Sequence, residues 1–176
     1  MAIKKELAVE HYTTNLNINS INVCSKCPLR IYADKDDKII LGVGNIITDT
    51  ILVLPSYDVK AKIGYTTMLK ILQDVYKDIK GIELLEDTYV TRAIKCFNKT
   101  DFNLEVIAIK SCITNLLYEI GRITPRKIII FDRRLHDFNY NNITIKTVIS
   151  PGVMYYDNDN LKEIFMKQLK EALNDS

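Results

Sequence analysis

The sequence predicts an α/β fold, a three-layer sandwich with a mostly parallel, four-stranded central sheet flanked by helices. Three observations predict it. Short β-branched runs alternate with longer segments of helical periodicity, the order expected of a sheet layered with helices. The strand-like runs are apolar throughout rather than at every second position, as in strands buried on both faces. No repeat, low-complexity stretch or linker divides the 176 residues, so residues 1–176 are read as one domain.

The elements follow in order. The first twenty residues have mixed polarity and suit a short helix, followed by an Asn-rich turn, "NLNINSIN". "IYADKDDKIILGVGN" reads as a charged loop leading to Gly42 and Gly44. "DTILVLP" is a buried strand, a β-branched run ended by Pro55. "YTTMLKILQDVYKDIKG" places Met68, Leu69, Leu72, Val75, Tyr76 and Ile79 at helical spacing, with Gly81 just past the end. "TYVTRAIKC" is the second strand, and "NLEVIAIKSCITNLLYEIGR" is a second long helix closing near Gly121. "RKIIIFD" is the third strand, introduced by Thr124-Pro125, and "NITIKTVIS" is the fourth, stopped by Pro151. "DNLKEIFMKQLKEALN" is an amphipathic C-terminal helix capped by Asp159 or Asn160. In such sheets ligands sit outside the carboxyl ends of the strands. Those ends are Leu54–Asp58, Ala93–Asn98, Phe131–Arg134 and Ile149–Gly152.

Composition narrows the function classes. Apolar residues make up 47% and charged residues 26%, ordinary values for a globular protein. The net charge of +2 excludes a bulk polycation, so any nucleic-acid contact must come from a local patch. No apolar run approaches the roughly 18 residues that span a bilayer. The N-terminal "MAIKKELAVEHY" has no apolar signal core. The expectation is a cytoplasmic protein, without a membrane partner.

The chain has four cysteines, Cys24, Cys27, Cys96 and Cys112. Cys24 and Cys27 form a C-x-x-C, Cys96 ends the second strand run, and Cys112 lies in the second long helix. In a reducing compartment such thiols bind metal rather than pair as disulfides. Four thiolates suit either an iron–sulfur cluster or a structural zinc.

The residues from about Cys24 to Pro151 carry a resemblance. C-x-x-C-x-L-R is followed by "GVGNIITDTILVL", by "YVTRAIKC", and by a segment formed of Cys112, Leu116, Glu119, Ile120, Pro125, Ile128 and Ile129. This frame resembles the iron–sulfur uracil-DNA glycosylases, family four of that superfamily. The resemblance implies a uracil-DNA glycosylase-like fold. It also implies that Cys24, Cys27, Cys96 and Cys112 hold a structural [4Fe–4S] cluster, tying an N-terminal metal-binding loop to the sheet and to a helix. Zinc on the same thiolates is the alternative.

The chemistry that the resemblance implies is missing at its expected positions. A glycosylase flips a base into a fitted pocket. In this superfamily a carboxylate or Asn after the first core strand handles the attacking water. An aromatic ring stacks on the base, an Asn on the second strand reads its edge, and a His after the last strand stabilises the developing charge. Here the acidic position falls on Pro55, in Leu54-Pro55-Ser56-Tyr57-Asp58. Proline neither positions water nor accepts a proton. Asp58 is the nearby substitute. In "AKIGYTTMLK" Gly64 is kept, but the stacking position falls on Lys62, with Tyr57 or Tyr65 as other rings. Arg92 stands at the edge-reading position, and an Arg only donates. The His position is Ser150, ahead of Pro151 and Gly152. The two histidines, His11 and His136, lie elsewhere, His136 as a solvated residue after the third strand.

Pro55, Lys62, Arg92 and Ser150 therefore replace all four site residues. The expectation is a degenerate, phage-type member of the superfamily that no longer excises a base. Instead it would bind DNA, a replication protein such as a DNA polymerase or processivity factor, or both, in the host cytoplasm. Some viral relatives of the fold serve such roles. Arg122, Arg126, Lys127, Arg133 and Arg134 around the third strand, with Lys60, Lys62, Arg92, Lys95 and Lys99 near other strand ends, are candidate phosphate contacts. Two other readings stand beside this one: an active glycosylase with a shifted mechanism through Asp58, and a protein-interaction module without a DNA role.

Overall fold

The computed structural model describes residues 41–95 and 102–175, the stretch 102–107 by its helical backbone alone. Cys24, Cys27, Cys96, His11, Lys99 and the N-terminal helix and turn lie outside the described residues.

The elements are β1 (Val43–Gly44), β2 (Thr50–Leu54), β3 (Tyr57–Asp58), β4 (Ile63–Gly64), α1 (Tyr65–Lys80), α2 (Leu84–Asp87), β5 (Tyr89–Arg92), α3 (Phe102–Ile123), β6 (Lys127–Ile130), β7 (Thr144–Thr147) and α4 (Asp159–Asn174). Two 3-10 turns, Arg133–Leu135 and Pro151–Tyr155, follow β6 and β7. The fold is α/β, with one mixed sheet in the order β1-β5-β2-β6-β7. β2 pairs in parallel with β5 on one side and β6 on the other, and β7 extends the parallel set. The sheet thus has five strands, not four. The fifth, β1, runs antiparallel along β5, with Val43 opposite Val90. Its Gly-Val-Gly sequence has the look of a loop, and it forms a strand because β5 offers it a free edge. A separate two-stranded ribbon, β3–β4, follows β2.

The apolar strands are explained by cover on both faces. Ile51 and Val53 of β2, with Ile128 and Ile130 of β6, pack against Ala108, Ile109, Leu116, Ile120 and Ile123 of α3. The intervening Leu52, Leu54 and Ile129 pack on the other face. There they meet Leu72, Val75 and Tyr76 of α1 and Phe165, Leu169 and Ala172 of α4. Alternate side chains point to opposite faces, so β2 needs apolar residues at every position. Each fully buried side chain of this size contributes roughly 1.5–3 kcal/mol.

Helix ends follow local chemistry. Gly81 takes the left-handed conformation, φ 71°, and its N–H donates to Lys77 O at 2.8 Å, closing α1. At α4 the cap is one residue earlier than expected. Asn158, not Asp159 or Asn160, accepts from Leu161 N at 3.1 Å.

A wholly buried polar cluster joins the sheet to α3. Glu119 Oε1 accepts from Gly42 N and from the Tyr89 hydroxyl, both at 2.9 Å. Thr91 Oγ1 donates to Oε2 at 2.9 Å, and Lys95 Nζ pairs with the same oxygen. Lys95 also donates to Thr91 Oγ1 at 2.6 Å. Burial pulls the Lys95 pKa down, against the Glu119 charge that holds it up. Gly42 has no room for a side chain, because a Cβ there would strike the Tyr89 ring.

Candidate functional site

The chain leaves β2 for β5 on one side and continues through β6 to β7 on the other. The order of the parallel strands therefore reverses between β2 and β6. In an open α/β sheet the crevice outside the carboxyl ends at that reversal is where ligands bind. A cleft of about 720 Å³ opens there, within the size range of small-ligand sites. It joins three of the four carboxyl-end segments expected from the sequence: Pro55 to Lys60 after β2, Phe131 to Arg134 after β6, and Val148 to Ser150 after β7. Val153, Tyr156 and, from α4, Leu161 and Gln168 complete it. The segment after β5 attaches from beneath, where Ser56 Oγ donates to Ile94 O at 3.3 Å.

Asp58 organises the cleft. It is 7% exposed and accepts from three donors. Ala61 N lies 2.9 Å from Oδ1. Ser150 Oγ lies 2.8 Å from Oδ2. The Tyr156 hydroxyl lies 2.9 and 3.1 Å from the two oxygens. The Ser150 oxygen also accepts from Gly152 N at 3.1 Å, capping the 3-10 turn that follows. A Cβ on Gly152 would collide with the Asp58 carboxylate, so only glycine allows this approach. Burial, reinforced by the bond to Asp58, pushes the Tyr156 phenol up to about 12. It stays protonated and donates. The second carboxylate of the cleft, Asp132, is also engaged. Its oxygens receive Arg134 Nε at 2.7 Å and Nη2 at 2.5 Å, and Oδ1 accepts from Arg134 N at 3.1 Å.

Charge in the cleft is layered. Asp58 and Asp132 are buried, whereas Lys60 and Arg133 are exposed. The Lys60 ammonium sits 4.3 Å from the centre of the Tyr156 ring, a cation–π arrangement. A ligand approaching from solvent meets cations first.

The residues singled out in the sequence take different places. Pro55 is buried and lines the cleft beside Tyr57, while Ser150 and Asp58 face each other across it. Lys62 is exposed at the tip of the β3–β4 ribbon, with φ 56°. His136 is exposed at the cleft rim, its Nε2 3.0 Å from Asp137 Oδ1. Arg92 is 3% exposed, with its guanidinium 4.8 Å from the centre of the Tyr65 ring. That ring's hydroxyl is raised to about 12 by burial, with Arg92 opposing. Arg134 is held by Asp132.

Two groupings made from the sequence are corrected. Neither Lys95 nor Arg92 faces solvent with Lys60 and Lys62, because Lys95 is fully buried on Glu119 and Arg92, the expected phosphate contact, is buried against Tyr65. The cations around the third strand are not one patch. Arg126 and Lys127 lie at the start of β6, at the opposite end from Arg133. There Arg126 lies 3.6 Å from Asp49, and Lys127 donates to Ala172 O and Leu173 O at the end of α4.

Of the four cysteines only Cys112 is described, buried on α3. It acts electrostatically on Lys95, the residue before Cys96. Among the described residues no three His, Cys, Asp or Glu side chains group as a metal site, and no helix is long and apolar enough to cross a membrane.

Sequence reasoning missed Tyr156 and the joint action of Glu119 and Lys95. Tyr156 carries no motif. Glu119 lies in the segment that carries the resemblance, and its burial beside a Lys 24 residues earlier, outside its helix, leaves no local pattern. No protein-family model matches the chain, and no curated protein does, so the functional reading rests on the cleft and on the cysteine frame.

Proposed function

We propose that this chain is a glycosylase-fold iron–sulfur protein that has lost base excision and binds DNA, a replication protein such as a DNA polymerase, or both. The observation that carries the reading is the state of the cleft carboxylates. Hydrolysis of a glycosidic bond needs a group within reach of a water and able to take its proton. Asp58 is surrounded by Ala61 N, Ser150 and Tyr156, and Asp132 by Arg134. Pro55 occupies the position where the resemblance places an acid. Asp58 thus acts as a strut, while the exposed Lys60 and Arg133 suit phosphate contacts that position a nucleic acid without reading its sequence.

In this reading Cys24, Cys27, Cys96 and Cys112 hold a [4Fe–4S] cluster, with zinc as the other occupant that four thiolates accept. The cluster would supply rigidity, and the cytoplasm of a host cell is the setting. The expected chemical signature is iron and acid-labile sulfide on the purified chain. Colourless protein with stoichiometric zinc overturns the iron assignment.

The deciding experiment is an excision assay on single- and double-stranded DNA containing uracil, hypoxanthine or hydroxymethyluracil, run beside binding to the same oligonucleotides. Binding without excision is expected. Excision that Asp58→Ala abolishes establishes the active reading instead. Retention of a polymerase without nucleic-acid binding supports the replication-protein arm, and absence of both leaves a protein-interaction module without a DNA role.

A further inference from the structure

We propose that the cleft takes single-stranded nucleic acid, with phosphates on Lys60, Lys62 and Arg133 and unstacked bases against Tyr57, Val59 and Tyr155. This rests on the DNA-binding reading above and narrows its substrate class.

The argument starts from apolar exposure. Val59 is 65% exposed and Tyr155 60% exposed, although both flank the most tightly bonded part of the cleft. Val59 follows Asp58 in the chain, and Tyr155 precedes Tyr156. The strut from Asp58 to Ser150 and Tyr156 therefore fixes the backbone on both sides and holds the two residues out to solvent in set positions. Tyr57 lines the cleft half-buried on the same strap. Flat and branched apolar surfaces presented rigidly suit the faces of bases, which every nucleotide offers once unstacked. The exposed cations are interleaved with them: Lys60 next to Val59, Lys62 at the ribbon tip, and Arg133 across the cleft. A duplex hides its base faces and presents phosphates and groove edges. It would use the cations and leave Val59 and Tyr155 idle. A positive groove with alternating apolar platforms is the arrangement that tracks a single strand.

The test is fluorescence anisotropy with the full chain, a labelled oligothymidylate and a duplex of equal length, across a salt series. Single-strand affinity at least tenfold above duplex affinity is expected. Tyr155→Ala should weaken single-strand binding about tenfold, as loss of one stacked base does, and leave the salt slope unchanged. Tyr155→Phe should restore binding. Lys60→Ala and Arg133→Ala should each reduce the single-strand salt slope by about 0.7. The Tyr155 and Lys60 side chains are exposed, so circular dichroism should show the variants folded. Equal affinity for duplex and single strand, or Tyr155→Ala binding like the parent, overturns the single-strand proposal and leaves DNA binding standing. Failure to bind either nucleic acid overturns both.

Discussion

Two polar clusters hold this molecule together, and they solve the same problem differently. Around Glu119 a carboxylate is buried with a counter-charge, Lys95, and with Gly42 N, Tyr89 and Thr91 filling the remaining acceptor sites. Around Asp58 a carboxylate is buried with neutral donors only: Ala61 N, Ser150 and Tyr156. The first cluster is sealed between sheet and helix. The second lies at the floor of an open cleft, where donors can be traded with a ligand or with water. A sealed ion pair leaves a costly orphan charge when one partner goes, whereas a neutral donor set gives up one bond at a time.

The sharpest way to break that contrast is Glu119→Gln. It strands the Lys95 ammonium in the core and should cost about 3–5 kcal/mol, read by urea denaturation. Adding Lys95→Met should return most of the loss, since a buried pair replaced by apolar groups is often neutral. A double-mutant cycle measures the coupling. Gly152→Ala comes next. The methyl has no space against Asp58, and overpacking of this kind costs about 1–3 kcal/mol. Asp58→Asn removes the charge and keeps one acceptor oxygen, so a loss of about 1–2 kcal/mol is expected. If Asp58→Asn proves as costly as Glu119→Gln, the two clusters are alike and the contrast fails.

The smallest effect is alkaline. Tyr65 and Tyr156 have folded-state values raised from 10.0 to about 12. A raised phenol favours the neutral form in the fold. The stability it contributes is therefore complete below pH 10 and is lost as pH rises through 10 toward about 12. Denaturation midpoints should fall across that window, and phenolate absorbance should titrate late. A midpoint that stays flat there contradicts the burial of both phenols.

The strands at the centre were legible because β2 and β6 are covered on both faces and show it as unbroken apolar runs, Ile51–Leu54 and Ile128–Ile130. β1 was not, because a two-residue edge strand contains no periodicity, and its pairing is decided by β5. The β3–β4 ribbon was hidden for the same reason. In the cleft, the ends of β2, β6 and β7 were anticipated from strand order alone. What Asp58 does there was not. Its partners Ser150 and Tyr156 arrive from the far end of the chain, and a carboxylate that works as a base and one that works as a strut are spelled identically. Lys95 misled for a related reason: its charge suggests solvent, and only the three-dimensional position of Glu119 takes it inside.

The bond between Asp58 and Tyr156 joins residues 98 positions apart. Such a contact closes a loop of more than half the chain, and long-range closures come late because their entropic cost precedes their reward. The cleft is therefore a product of completed folding. A nascent or truncated chain ending before Tyr156 carries Val59 and Lys60 without the bracket that sets them, and the cleft takes its shape only once the Pro151–Tyr155 turn and Tyr156 have docked on Asp58.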